Sequence, residues 1–372
     1  MTFPFLPPGR LRCSSMANVN GSATAIPASL VEVWRGPIVE SRHRGHLIAV
    51  DGHGGTIAAL GSPETVTYVR SSGKPFQAIP LVASGAADQF GFTDQEIAIA
   101  CGSHSGEPIH VETVRSMLRK IGLEAGALRC GIHEPFSAEV VRELAQNREQ
   151  PNVLQNNCSG KHAGMLAVAM HIGAPAETYD QASSPVQQLI ARTVSQFSGV
   201  PREKIALGID GCGVPVFGIS VRAMALMYAR LVAPLDSFDA AAREACKRIV
   251  GAMIGFPEMI GGSKNRLDTE LIKAGGGRLI SKIGAEGVYT VGVLPCKEWP
   301  GGLGLALKIE DGDDHRARPP AVIEALRQLG ALTDRELDAL AACAPAITTN
   351  RRGEPVGEVK AAFALEIKSG GK

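Results

Sequence analysis

The 372-residue chain lacks the charge imbalance and the long hydrophobic runs that mark several classes of protein. Its 38 lysines and arginines nearly balance its 37 aspartates and glutamates, and no basic run exceeds Arg-His-Arg. The electrostatic footprint of a nucleic-acid-binding protein is therefore missing. The first thirty residues hold no apolar stretch long enough for a signal-peptide core or a membrane span. We expect a cytoplasmic protein, away from membranes, whose partner is a small or neutral molecule.

Closely spaced cysteine pairs are missing as well. The 8 cysteines are scattered along the chain, which argues against a disulfide framework. We expect most of them to be buried thiols, and metal binding stays open for a minority.

The composition is sufficient for a large core, because 45% of the residues are hydrophobic. Residues 1–26 are rich in Pro, Ser, Asn and Ala without periodicity, which predicts a flexible tail. Residues 27–366 are predicted to form a single unit.

Sequence patterning divides that unit into three parts. Short alternating runs between turn signals predict antiparallel strands over about residues 28–70. Helical periodicity dominates about residues 71–281, and strand patterns return over about residues 282–366. We therefore expect an α/β (α+β) fold, in which a mostly antiparallel sheet built from both termini is covered by helices from the central part.

The stretch Val-Arg-Ser-Ser-Gly-Lys-Pro-Phe, residues 69–76, places Ser71 three positions before Lys74 at a strand-to-helix change. Positions i and i+3 of a helix share a face, so the hydroxyl and the amine can come within hydrogen-bond reach. A lysine activates a serine only if burial or a second cation lowers the pKa of its amine. Lys282, in a Lys-x-Gly before a strand-like run, can supply that second cation. The alternative is an ordinary helix start with a solvated lysine.

The order of these two motifs is the one described for penicillin-recognising serine enzymes. Those enzymes also carry a Ser-x-Asn motif between them. The candidate here, Cys-Gly-Ser-His-Ser-Gly-Glu at residues 101–107, supplies Ser103 but no asparagine two residues later. This departure weakens a β-lactam interpretation and leaves Ser103 as a hydroxyl that can pair with Lys282.

Two further glycine-rich segments, residues 155–164 and 208–215, are crowded with polar side chains. Thiolates from separate segments, with an aspartate and a third donor nearby, can hold Zn²⁺. Spacing alone favours the alternative, in which Cys158 and Cys212 are ordinary buried thiols and Asp210 forms a turn.

Five segments, in order, resemble the rhizobial-type (class 3) L-asparaginase family, the asparaginase II group. The resemblance covers about residues 28–366. The segments are RSSGKPFQ (70–77), CGSHSGE (101–107), NCSGKHAGM (157–165), GIDGCGVP (208–215) and KIGAEGVY (282–289).

This resemblance implies hydrolysis of L-asparagine to L-aspartate and ammonia, on a fold similar to serine β-lactamases and glutaminases. It implies two catalytic pairs, Ser71 with Lys74 and Ser103 with Lys282. The expected mechanism has Ser71 attacking the amide carbon and Lys74 taking its proton, while the second pair tunes that lysine and relays a proton to ammonia. Which of the two serines attacks stays open.

The resemblance also implies a zinc ion, one per subunit, held by Cys158, Lys161 and Cys212, with Asp210 near the metal-bound water. Whether this zinc is catalytic or structural stays open.

A homodimer and substrate contacts from Arg70, His162 and Asp210 are implied as well. Three alternatives remain: a glutaminase, a penicillin-recognising or β-lactamase-like serine hydrolase, and a metal-binding or amino-acid-binding protein without turnover.

Overall fold

The computed structural model describes residues 26–368, and the predicted tail at residues 1–26 lies outside them except for its last residue. Within the described part, strands gather near both ends of the chain and helices fill the middle. The strands are β1 Ala28–Arg35, β2 Ile38–Val50, β3 Thr56–Leu60, β4 Val66–Tyr68, β5 Ala206–Ile209, β6 Pro215–Ser220, β7 Leu279–Ile283, β8 Val288–Val293, β9 Leu303–Ile309, β10 Ile347–Thr349 and β11 Pro355–Ala361. The helices are α1 Lys74–Ala83, α2 Ala86–Gln89, α3 Asp94–Cys101, α4 Pro108–Lys120, α5 Ala138–Asn147, α6 Ser159–His171, α7 Pro185–Ser198, α8 Val221–Val232, α9 Ala240–Gly255, α10 Pro257–Ile260, α11 Leu267–Ala274, α12 Arg318–Gln328 and α13 Asp334–Ala339.

The main sheet joins both ends of the chain, as the sequence patterning predicts. Its strands run in the order β10-β11-β1-β2-β9-β8-β7, and neighbouring strands are antiparallel. Strand β3 pairs antiparallel with the second half of β2, from Leu47 to Val50. A second, small sheet has the order β4-β6-β5 and takes two strands from the central, mostly helical segment. The predicted fold class is confirmed.

Two hydrophobic cores lie on opposite faces of the main sheet, and β2 shows how the chain builds them. Successive side chains of a strand point to opposite faces. Leu47 and Ala49 accordingly belong to the core under α12, whereas Ile48 and Val50 belong to the core formed by the central helices. Because both faces are covered, the second half of β2 is a continuous buried apolar run.

Close contact between α8 and the sheet depends on a glycine in β9. A Cβ atom at Gly304 would lie 1.9 Å from the carbonyl oxygen of Ala225 on α8. Only a residue without a side chain lets the helix approach this closely. Across residues 26–368, no helix combines the length and the apolar character needed to cross a membrane.

Candidate functional site

A cavity of about 1190 Å³ lies where the central helices meet the end of β7. Its wall is made by segments far apart in the sequence. Six of the predicted site residues line it, namely Arg70, Ser71, Ser103, Cys158, Asp210 and Cys212.

Ser71 reaches the cavity from a strained turn. Arg70 directly before it has φ +48°, a left-handed conformation that non-glycine residues rarely adopt. An ion pair holds this turn in place, because Arg70 Nε donates to Asp210 Oδ1 at 2.9 Å. Strain of this kind concentrates at functional sites, where the surrounding structure maintains it. The half-buried Ser71 side chain is thereby placed on the cavity wall.

The amine of Lys74 is buried beside Ser103, a pairing that the sequence does not predict. Its Nζ donates to the carbonyl oxygens of Gly102 at 2.6 Å and Asn157 at 3.0 Å, and lies 2.9 Å from Ser103 Oγ. Within residues 26–368, the backbone N–H of Lys74 donates to the carbonyl oxygen of Ser71, but no hydrogen bond joins their side chains. The two carbonyl groups draw the amine away from its own turn and across to the end of α3.

These contacts restrict where the protons of Lys74 lie. Carbonyl oxygens only accept hydrogen bonds, so the two N–H groups of a neutral amine are both directed at them. The lone pair of that amine then faces Ser103 Oγ. Burial lowers the pKa of Lys74 against the opposing effect of Cys158, and the cation of Lys161 acts in the same direction as burial.

Lys282 is fully buried at the end of β7 and pairs with Asp268 instead of Ser103. Its Nζ lies 3.2 Å from Asp268 Oδ2 and 3.3 Å from the carbonyl oxygen of Ile283. Burial lowers the pKa of Lys282 to about 7, against the opposing effect of Asp268, and the charge of Lys74 contributes in the same direction as burial. The charge of Lys74 therefore affects Lys282, but the expected hydrogen bond between Lys282 and Ser103 is not made among the described residues.

Asp268 is a site residue that sequence reasoning missed. It lines the cavity from the first turn of α11 and is 2% exposed. An acid in the first turn of a helix is common, because it interacts well with the helix dipole, so its position in the sequence indicates no special role.

The predicted zinc ligands converge at one side of the cavity. Cys158 and Cys212 are buried beside each other, and Lys161 Nζ donates to Cys212 Sγ at 3.0 Å. The contact with Cys212, together with the cations of Lys74 and Lys161, lowers the pKa of Cys158, while the same contact raises that of Cys212. One thiol of the pair is therefore readily ionised.

The chemistry of this donor set fits zinc, which prefers thiolate and nitrogen ligands. No group of three or more His, Cys, Asp or Glu side chains suited to a metal occurs in residues 26–368. The proposed set has only two members of those types, because its third donor is Lys161. Burial opposes the charge of this amine, but the adjoining Cys158 and Cys212 raise its pKa. Coordination would require the amine to lose that proton.

His162 does not line the cavity. It is fully buried in α6, and its Nδ1 lies 2.7 Å from the hydroxyl of Tyr179. Burial lowers its pKa well below the usual value, so the ring is neutral. Neighbouring residues of a helix point about 100° apart, which turns His162 away while Lys161 faces the thiols.

Comparison with known families settles the broad class of the protein. A model of the family described as L-asparaginase II matches residues 31–361, most of the chain. The chain belongs to the L-asparaginase II family. The predicted family is thus confirmed, and the protein is an amidohydrolase.

Solved structures give more distant similarities. One is a probable glutaminase from Bacillus subtilis complexed with 6-diazo-5-oxo-L-norleucine, at 12% identity over 77% of this chain and 85% of that chain, with a TM-score of 0.37. Another is a β-lactamase from Burkholderia ambifaria, at 15% identity over 81% of this chain and 92% of that chain, with a TM-score of 0.35. A search among curated proteins gave no match.

Proposed function

We propose that this protein hydrolyses L-asparagine to L-aspartate and ammonia by serine and lysine chemistry. One observation carries the mechanism: the buried amine of Lys74, held by two carbonyl oxygens, faces the hydroxyl of Ser103 on the wall of a cavity that also presents Ser71. Family membership supports the amide substrate class.

Ser71 is the nucleophile in this proposal. It is the more exposed of the two cavity serines, since Ser103 is 2% exposed, and it follows the strained Arg70 turn. Its Oγ forms a bond to the side-chain amide carbon, and its proton passes to the pair formed by Lys74 and Ser103. That pair, assisted by the Lys282 amine, then protonates the amide nitrogen, the C–N bond breaks, and ammonia leaves. Water hydrolyses the resulting aspartyl ester and regenerates the serine.

Arg70 binds the α-carboxylate of the substrate. Only its Nε is engaged by Asp210, and its two terminal nitrogens make no hydrogen bond within residues 26–368. Two parallel N–H groups match the two oxygens of a carboxylate. Asp210 thus acts on the substrate through Arg70, whose orientation it fixes.

Cys158, Lys161 and Cys212 would hold a zinc ion, which supplies a Lewis acid beside the cavity when it is bound. These residues also have a positioning role of their own. Cys158 directly follows Asn157, whose carbonyl oxygen holds the Lys74 amine. Fixing the two thiol-bearing segments to each other therefore fixes one wall of the lysine site. The homodimer and the cytoplasmic location remain predictions from the sequence.

The test is ammonia release from L-asparagine, L-glutamine and a panel of β-lactams by the wild-type protein and Ser71→Ala. Glutamine has one methylene more than asparagine, and one methylene allows an enzyme only about 10- to 200-fold discrimination between two substrates. Glutamine is therefore the stringent comparison. We expect asparagine to be the best substrate and Ser71→Ala to be inactive.

Hydroxylamine added during turnover is expected to divert the ester to β-aspartyl hydroxamate. Absence of ammonia from asparagine, or full activity in Ser71→Ala, would refute the proposal. A preference for glutamine would favour the alternative that the protein is a glutaminase.

A further inference from the structure

A short segment at the start of α11 contacts two separate parts of the proposed catalytic apparatus. Arg266, the residue before the helix, contacts the loop that carries Ser103. Asp268, two residues later, contacts Lys282. Ser103 and Lys282 make no hydrogen bond to each other within residues 26–368, and this segment contacts both of them.

The Arg266 contact fixes the backbone of the serine loop. Its Nη2 donates to the carbonyl oxygen of Ser103 at 3.0 Å and its Nη1 donates to Ser105 Oγ at 2.9 Å. The guanidinium also lies 5.2 Å from the centre of the Phe136 ring, in a cation–π arrangement. Three contacts to different groups leave the guanidinium little freedom, and the Ser103 carbonyl is held with it.

Asp268 and Lys282 form an ion pair in which both side chains are buried. The side chains of Lys282 and Asp268 are 0% and 2% exposed, and the atoms Nζ and Oδ2 are 3.2 Å apart. The other carboxylate oxygen, Oδ1, is buried and has no hydrogen-bond partner in the described part of the chain. A carboxylate with one oxygen unpaired in the interior is costly unless a cation stays beside it. Asp268 and a protonated Lys282 therefore depend on each other.

The other charged and titratable groups around Lys282 do not favour a cation. Lys74 on α1 and Arg266 are positively charged neighbours, and Cys101 on α3 is a neutral thiol whose pKa burial raises to about 12. Asp268 is the one carboxylate among these neighbours. Its removal leaves the buried Lys282 amine facing cations.

We propose that Asp268 is a positioning residue that orients the Lys282 amine and maintains its cationic form, while Arg266 on the same segment fixes Ser103. This inference rests on the proposed function, in which Lys282 helps to deliver a proton to the departing ammonia. The segment from Arg266 to Asp268 thus sets the relative position of a hydroxyl and an amine that come from distant parts of the chain.

The test is the pH dependence of kcat and kcat/KM for asparagine in the wild type, Asp268→Asn and Asp268→Glu. An opposite charge at this distance changes a pKa by about 1 to 3 units. We expect the alkaline limb of the Asp268→Asn profile to move to lower pH by that amount, with kcat reduced and KM little changed, because Asp268 acts through Lys282. Asp268→Glu keeps a carboxylate and is expected to retain the wild-type limb.

Asp88→Asn is the matched control, since it makes the same substitution in an exposed ion pair with Arg248 on the surface. Its profile is expected to superimpose on the wild-type profile. The inference would be overturned if the alkaline limb of the Asp268→Asn profile did not move. It would also be overturned if the alkaline limb of Asp268→Glu moved as far as that of Asp268→Asn. Failure of the proposed function is recognised separately, because then the wild type does not hydrolyse asparagine or Ser71→Ala remains active.

Discussion

Lys74 Nζ lies 2.9 Å from Ser103 Oγ, although the sequence motif places Lys74 three residues after Ser71. The amine spans from the start of α1 to the end of α3, where the carbonyl oxygen of Gly102 binds it at 2.6 Å. The two serines consequently have different surroundings. Both line the cavity, but only Ser103 lies against the Lys74 amine.

Replacing Ser71 tests whether this serine is the nucleophile. We expect Ser71→Ala to lower kcat by about 10³-fold or more, because Ser72, the next hydroxyl after the strained turn, is fully buried. Steady-state ammonia release measures this loss. Ser72→Ala is the control: its Oγ donates to the carbonyl oxygen of Val69 at 2.8 Å, so the change is expected to cost about 1 kcal/mol of stability and to preserve turnover. Comparable losses of turnover in both variants would assign the effect to disruption of the turn.

Arg70 offers a test that separates backbone strain from substrate binding. Arg70→Gly and Arg70→Ala both remove the guanidinium, and each is expected to raise KM for asparagine by about 10- to 100-fold. Glycine adopts the φ of +48° freely, whereas alanine keeps the strain, so the glycine variant should be more stable by about 1 kcal/mol. Urea unfolding and steady-state kinetics provide the two readouts. An unchanged KM would remove Arg70 from the carboxylate site.

The zinc proposal predicts which cysteine is needed for zinc binding. Purified wild type is expected to contain about one zinc per chain, and Cys212→Ser is expected to lose most of it because a thiolate ligand is removed. Elemental analysis by mass spectrometry measures the content. Cys246→Ser, at a buried thiol on α9 outside this cluster, should keep the metal. Full zinc occupancy in Cys212→Ser would reject the proposed ligands.

Burial of Lys282 predicts how stability varies with pH. Its pKa is about 7 in the folded chain and the ordinary value is 10.5, so between these values the unfolded chain binds the additional proton. This group therefore makes the free energy of unfolding increase with pH over that window, and it contributes no slope below pH 7. Urea unfolding at several pH values should show a smaller increase in Lys282→Met than in the wild type. Equal slopes would mean that the amine is protonated in the folded state.

Local patterning was sufficient for the sheet, because alternation and turn residues report on strand faces without knowledge of the partners. It was also sufficient to identify the segments that carry Ser71 and Ser103 as candidate site segments, since glycine and polar residues interrupt the apolar runs there. Asp268 and Arg266 could not be found this way. Their partners Lys282 and Ser103 lie far along the chain, and an acid or an arginine at a helix start is ordinary by itself.

The succession of strands and helices along the chain, and six of the residues that line the cavity, were thus predictable from the sequence itself. The tertiary structure alone decided which of those residues pair. Lysine side chains are long and flexible, and in the interior their amines go wherever acceptors compensate for the loss of water. For Lys74 those acceptors are backbone carbonyl groups, and for Lys282 the main acceptor is a carboxylate on α11, neither of which a motif records.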